Sequence, residues 1–197
     1  MDIKAATQTF LDIKKILDQA GVRFWIVDGT ALGAVRDGSF IPYDTDIDLR
    51  ISAEDTGLHI CEKFRKKGFQ CSKIILYHDL VSAYAIKKRG VRSDIAATYY
   101  YPPEDLSVVL ANKPVAGITV TPAKFYRGDH FVEFLDVKVR LPNPPEEYLD
   151  LHYGKNWRTP VKDKGRSAAS VPILIAKYVK YFHEHPEINQ KRERNNA

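Results

Sequence analysis

Two periods of apolar and polar residues run along this chain, and the change between them outlines a fold. Over residues 3–20, Ile3, Ala6, Phe10, Ile13, Ile16 and Leu17 recur at helical spacing, and Gly21 supplies a stop. The apolar run Phe24-Trp25-Ile26-Val27 predicts a strand over 23–28. A short helix is predicted over 30–37, ended by Gly38, and then a loop over 39–45 that Pro42 keeps irregular. A strand over 46–51 and a helix over 54–67, stopped by Gly68, come next. From there the period shortens to two. Strands are predicted at 69–77, 81–88 and 91–98, with Gly90 in the turn between the last two, and shorter ones near 106–111 and 115–120. Residues 99–105, with Pro102-Pro103, read as a loop. Thr121-Pro122 opens a short helix, and 131–141 carry one or two strands. Pro144-Pro145 starts a helix running to about His152, and a last helix covers 167–184. No repeat or linker interrupts this order. The expected architecture is one α+β domain over residues 1–185, a mixed β-sheet flanked by helices, with a polar, disordered tail over 186–197.

Composition narrows the class. The 197 residues suffice for one domain with a core, and a net charge of +5 weakly favours anionic ligands. The basic residues of 63–67, 87–89 and 191–194 are not interleaved with an aromatic stacking series, so no nucleic-acid partner is expected. No run of about 18 apolar residues exists, and the first 21 residues lack the basic start and apolar centre of a leader. The expectation is a cytoplasmic protein without a transmembrane segment, touching a membrane surface only through its acceptor. Cys61 and Cys71 lack the spacing of a zinc site and are expected as two reduced thiols, one in a helix and one in a strand.

The candidate chemistry lies in residues 28–49. Asp46 and Asp48 alternate with Ile47 and Leu49 on a strand, so the two carboxylates share one face and the two apolar side chains point to the core. Like charges so placed call for a cation, and a hard divalent ion such as Mg²⁺ or Mn²⁺ suits oxygen ligands. Gly29-Thr30, between an apolar strand and a short helix, form a ready phosphate site. Arg36 on that helix can grip phosphate with its planar fork. Asp44 either orients a metal-bound water and substrate or closes an Asx-turn after Pro42. Asp28 either caps the short helix or joins the acids. Lys138 and Arg140 share a strand face and, with Tyr153 and Trp157, either bind substrate or serve the structure. Tyr99-Tyr100-Tyr101 read as packing at a strand end, with base or sugar stacking as the alternative. The P-loop, the dinucleotide fingerprint and the nucleophile elbow are all absent from the sequence.

An apolar strand, Gly-Thr, a short helix and Asp-apolar-Asp together resemble the nucleotidyltransferase fold of DNA polymerase beta and its relatives. Gly29-Thr30, Leu32-Gly33, Arg36, Gly38, Phe40-Ile41-Pro42, Asp44 and Asp46-Ile47-Asp48 are similar to one branch, the LicD family, which includes fukutin and fukutin-related protein. Ser93-Asp94-Ile95 resembles the family's later Asp-Ile strand. Leu141-Pro142, Glu146-Glu147-Tyr148-Leu149, Tyr153-Gly154 and Trp157 resemble its closing segment. The resemblance implies a metal-dependent phosphotransferase. It would move a phospho-alcohol, such as phosphocholine or ribitol phosphate, from a CDP-linked donor to a hydroxyl of a glycan or glycolipid and release CMP. Asp46, Asp48 and Asp94 would be the catalytic and metal-binding acids, with Asp94 completing the metal site or acting as base; a salt bridge to Arg92 or Lys88 is its structural alternative. Two other readings remain open: nucleotidyl transfer from an NTP with release of pyrophosphate, and a non-catalytic nucleotide- or carbohydrate-binding module.

Overall fold

Helix α1, Ile3–Gln19, starts where the Asp2 carboxylate accepts a hydrogen bond from the Ala5 N–H at 3.1 Å. It buries Ala6, Phe10, Ile13, Ile16 and Leu17, the stripe read from the sequence. The structure, a computed structural model, describes residues 1–77, 79–110, 118–160 and 175–189. Strand β1, Phe24–Ile26, leads into α2, Asp28–Arg36, and then β2, Asp46–Ser52. After α3, Ile60–Arg65, come β3, Gln70–Leu76, β4, Leu80–Lys88, β5, Val91–Tyr101, β6, Leu106–Leu110, and β7, Ile118–Pro122. These seven strands form one mixed sheet with the order β1-β2-β5-β4-β3, and β6 and β7 continue from the second half of β5. Only β2 and β5 run parallel; every other pair is antiparallel. Strands β8, His130–Phe134, and β9, Val137–Leu141, make a separate hairpin, followed by α4, Pro145–Tyr153, and α5, Ile175–Glu184.

Two apolar clusters hold this arrangement. In the larger, Phe10, Phe40 and Phe134 meet edge to face, joining α1, the loop before β2 and the β8–β9 hairpin. In the smaller, Tyr99 and Tyr101 of β5 pack against Tyr178 and Phe182 of α5. This second cluster explains one departure from the sequence pattern: β5 continues through Tyr101, where a loop was expected, because Tyr99 and Tyr101 have a helix to pack against.

Other expectations shift in detail. The helix expected over 54–67 is broken. A 3₁₀ turn, Ala53–Asp55, is separated from α3 by Gly57 and by His59 at a positive φ of 51°. The 3₁₀ turn Ala123–Tyr126 follows Pro122, as Thr121-Pro122 predicted. Pro186–Asn189, placed in the disordered tail, instead form a 3₁₀ turn, and the Asn189 side chain accepts the Tyr100 N–H at 2.9 Å. Residues 190–197, with parts of the strand at 115–120 and the helix at 167–184, lie outside the described residues.

The cysteine expectation is overturned. Cys61 of α3 and Cys71 of β3 form a disulfide, with Cα atoms 5.4 Å apart. The tight return from α3, where Phe64 meets Phe69 edge to face, brings helix and strand alongside each other and so places the two cysteines in reach. A disulfide belongs to oxidising surroundings, whereas the cytosol keeps thiols reduced. Among the described residues no helix is long and apolar enough to cross a membrane.

Candidate active site

The site forms where the start of α2 meets the start of β2. Two contacts clip these segments together. The Val27 N–H donates to the Asp48 carbonyl at 3.2 Å, and the Asp48 N–H donates to the Thr30 hydroxyl at 2.9 Å. Thr30 is 1% exposed, so its oxygen positions the acidic strand. Gly29 is required by close approach: a Cβ there would lie 2.2 Å from Oδ2 of Asp44. Asp44 is thus held against the α2 N-terminus, with its Oδ1 accepting the Thr45 N–H at 2.9 Å.

The parallel pairing of β2 with β5 sets the acids. Asp48 is opposite Asp94, and Asp46 is opposite Arg92. Asp46, Asp48 and Asp94 therefore share one face of the sheet, while Ile47, Leu49 and Ile95 fill the core on the other. Arg92 makes its ion pair with Asp46, not Asp94, and Lys88 pairs with Asp12. Burial and then repulsion from Asp28, Asp46, Asp44 and Asp94 push the Asp48 carboxyl well above the usual carboxylate range. Burial also raises Asp94, with Asp46 adding and Arg92 opposing, and it raises Asp44.

Asp28 belongs to this group and does not cap α2. The residue preceding the helix is Val27, and no side chain caps it. Asp28 adopts a positive φ of 47° and turns to a buried set of partners. Arg50, 3% exposed and on the same strand face as Asp46 and Asp48, lies 3.7 Å from Oδ2 of Asp28 and hydrogen-bonds the Tyr126 hydroxyl. The Tyr148 hydroxyl donates to Oδ1 of Asp28 at 3.3 Å. His152 stacks on Tyr148, with ring centroids 4.1 Å apart, and places Nδ1 3.6 Å from the same Oδ1. Burial, helped by Arg50 and opposed by Asp28, lowers the His152 pKa. Neither Arg50 nor His152 was singled out from the sequence. The available signal was a charged residue two positions beyond Asp48, in step with the acids.

The remaining candidates fall differently. Arg36 commits its fork to Asp37, with Nε and Nη2 at 2.8 and 2.7 Å, and reaches the Trp157 carbonyl at 3.4 Å. Lys138 lines an open groove with Lys14 and Lys15 of α1. Arg140 pairs with Asp129 at 2.7 Å and lies over the rings of Trp25 and Phe131. The structure does not bring Lys138 or Arg140 to the aspartates, because the β8–β9 hairpin that carries them is not part of the main sheet. Trp157 anchors α4 through Nε1 to Asp150 at 2.9 Å. Tyr153 is close enough for Asp28, Asp48 and Asp44 to add to the upward push of burial on its hydroxyl.

Among the described residues, no three His, Cys, Asp or Glu side chains are gathered closely enough to enclose a metal ion by themselves. Mg²⁺ does not need such a cage. It keeps several waters and takes one or two carboxylates together with substrate phosphates. The Asp46 and Asp48 carboxylates on one sheet face, with charge left uncompensated at Asp48, offer hard oxygen atoms of the kind that mode of binding uses.

Comparison with known proteins agrees with this fold. The solution structure of the antibiotic-resistance factor ANT(2'')-Ia shares the fold, with a TM-score of 0.50 at 16% identity over 94% of this chain and 92% of that one. The ribitol-5-phosphate transferase FKTN of Homo sapiens is 30% identical over 163 residues, covering 81% of this chain and 34% of that protein. The ribitol 5-phosphate transferase FKRP of Homo sapiens is 43% identical over 63 residues, 32% of this chain and 12% of the relative. The chain thus spans about a third, or less, of the curated relatives it matches. The family model described as LicD/FKTN/FKRP, nucleotidyltransferase domain, matches residues 21–143, from the turn before β1 to the end of the β8–β9 hairpin, and the chain belongs to this family.

Proposed function

We propose that the protein is a metal-dependent phosphotransferase that moves a phospho-alcohol, with ribitol phosphate favoured over phosphocholine, from a CDP-linked donor to a hydroxyl of a glycan or glycolipid. The observation that carries this reading is the β2–β5 register, which sets Asp94 beside Asp48 on the face that also bears Asp46, next to the N-terminus of α2. The names of the relatives support the choice of ribitol phosphate.

Asp46 and Asp48 would hold Mg²⁺ or Mn²⁺. When bound, the ion would offset charge on the donor pyrophosphate and on the departing CMP. Backbone N–H groups at the start of α2, around Gly29 and Thr30, would receive the phosphate oxygens. Asp94 accepts the proton of the acceptor hydroxyl, and its raised pKa suits a base. The acceptor oxygen bonds to the alcohol-bearing phosphorus. The bond from that phosphorus to the bridging oxygen breaks, and its electron pair leaves with CMP. Arg50, held by Tyr126, fixes Asp28, and Asp28 with Asp44 adds negative field around Asp48.

The test is product analysis with CDP-ribitol, CDP-choline and CTP, with and without Mg²⁺, alongside thermal shifts. A ligand at 100 times its dissociation constant adds about 2.7 kcal/mol to the native state. The expected outcome is CMP from a CDP-alcohol with no pyrophosphate. Pyrophosphate from CTP, with CDP-alcohols inert, would replace this reading with nucleotidyl transfer. Binding without turnover of any donor would replace it with a binding module.

A further inference from the structure

The turn that receives phosphate in the proposed reaction has almost no length. Strand β1 ends at Ile26 and α2 begins at Asp28, so Val27 alone separates them. Val27 is extended, with φ −137° and ψ 179°, and the chain turns into the helix at Asp28, whose φ is 47°. That left-handed conformation suits glycine and strains a residue with a Cβ. The other described non-glycine residues with a positive φ stand in connections between strands or just before α3. Asp28 is held this way at the site itself, and such strain persists only where the surroundings over-determine the backbone.

On either side of Asp28 the turn is tied to the acidic strand and its loop. The Val27 N–H bonds the Asp48 carbonyl, the Thr30 hydroxyl takes the Asp48 N–H, and Gly29 lies against Asp44. None of these contacts is made by Asp28 itself. Its hold comes from α4, where the Tyr148 hydroxyl accepts the Asp28 N–H at 3.4 Å and donates to Oδ1 of Asp28 at 3.3 Å. One oxygen therefore bridges the main chain and the side chain of the strained residue. Tyr148 is fully buried, with its ring edge to face against Phe125 at 5.7 Å between centroids and His152 stacked on it, so the hydroxyl is fixed by packing. Arg50 and His152 reach only the carboxylate of Asp28; Tyr148 also bonds its backbone.

We propose that Tyr148 is a positioning residue for donor binding: its hydroxyl holds Asp28 in the left-handed conformation and so aims the N–H groups of Gly29 and Thr30 at the donor pyrophosphate. The inference rests on the proposed transfer reaction and extends it to a side chain that has no hydrogen bond to Asp46, Asp48 or Asp94. Without the hydroxyl, Asp28 relaxes toward a negative φ, and the first N–H groups of α2 turn with it. The loss then falls on phosphate binding, which is made in the ground state and the transition state alike, and spares the chemical step.

The test compares the full chain with Tyr148→Phe, which removes one oxygen. Circular dichroism checks folding, calorimetry measures the binding of CDP with Mg²⁺, and kinetics with CDP-ribitol give KM and kcat. In Tyr148→Phe, CDP affinity should fall and KM rise, each about tenfold, while kcat changes less than about threefold. A role confined to stability would lower the melting temperature and leave KM in place. A second pair of variants isolates the backbone. Asp28→Gly and Asp28→Ala remove the same carboxylate and deprive Arg50 of the same partner, but only glycine takes a positive φ without strain. Asp28→Gly should bind CDP about tenfold more tightly than Asp28→Ala, and adding Tyr148→Phe to Asp28→Gly should weaken binding less than about twofold. The proposal is overturned if folded Tyr148→Phe binds CDP as the wild type does, or if the two Asp28 variants fold and bind alike. Should the Asp28 variants fail to fold, Tyr148→Phe decides alone. A wild type that turns over no CDP-alcohol overturns the transfer reading, while the same binding comparison, made with CDP and with CTP, still decides the role of Tyr148; a wild type that binds neither nucleotide overturns that role as well.

Discussion

The two ends of one strand, β2, face different problems. At Asp46–Asp48 the sheet face gathers carboxylates whose mutual repulsion is relieved only in part by Arg92. At Arg50–Ser52 the same face is settled: Arg50 is buried against Tyr126 and Asp28, and beyond it lies a cavity with aromatic walls. The alternation that aligns the acids also aligns the arginine that separates the two ends. The first end is poised for charge and the second for shape.

The sharpest way to break this comparison is to neutralise the acid end. Asp48→Asn is expected to abolish transfer while raising the melting temperature of the ligand-free protein. The folded carboxyl has a pKa above its ordinary value, so near neutral pH its ionised form weakens the fold. Activity and calorimetry on the same sample check this, and a variant that is both active and no more stable would remove the contrast. Asp94→Asn comes next. Transfer should fall by about 10²–10⁴ with donor affinity weakened as well, measured by kinetics and titration calorimetry; a change below about threefold in both would leave Asp94 a structural residue.

At the settled end, effects should appear in stability. Arg50→Met removes the buried partner of Asp28 and is expected to cost about 3–5 kcal/mol in a denaturant titration. Tyr126→Phe, which removes only the hydroxyl bonded to Arg50, should cost about 1–3 kcal/mol. The smallest effect is that of His152. Its folded pKa is below its ordinary 6.5, so the native state binds fewer protons than the unfolded chain just below that pH. Its contribution is present above pH 6.5 and is lost as pH falls toward the lowered folded value. Urea midpoints between pH 8 and 5.5 should fall more steeply for wild type than for His152→Gln, and parallel curves would show that His152 is not coupled to folding.

The sequence showed some of this directly and some not at all. Asp46 and Asp48 share a face because a strand alternates, so one segment sufficed to read them. The α1 stripe was legible for the same reason. That Asp94 stands opposite Asp48 depends on a register between strands more than 40 residues apart in the chain, and only resemblance to the family pointed there. Arg36 looked free for phosphate, but its immediate neighbour Asp37 takes its fork, and helical periodicity does not report such a pair. The Asp28–Arg50–Tyr148–His152 set joins α2, β2 and α4, and no local pattern connects them. The Cys61–Cys71 bond was missed because its ten-residue separation spans a helix–strand return whose tightness comes from Phe64 and Phe69.

The uneven charge around Asp48 also bears on the order of events in a turnover. Five aspartates, Asp28, Asp44, Asp46, Asp48 and Asp94, outnumber the two arginines, Arg50 and Arg92, that pair with them. A pyrophosphate brought to that surface alone would be repelled, whereas one arriving with its cation would be drawn in. Donor and ion should therefore enter as a single species or with the ion first, and a donor stripped of its ion should act neither as substrate nor as a competitive inhibitor.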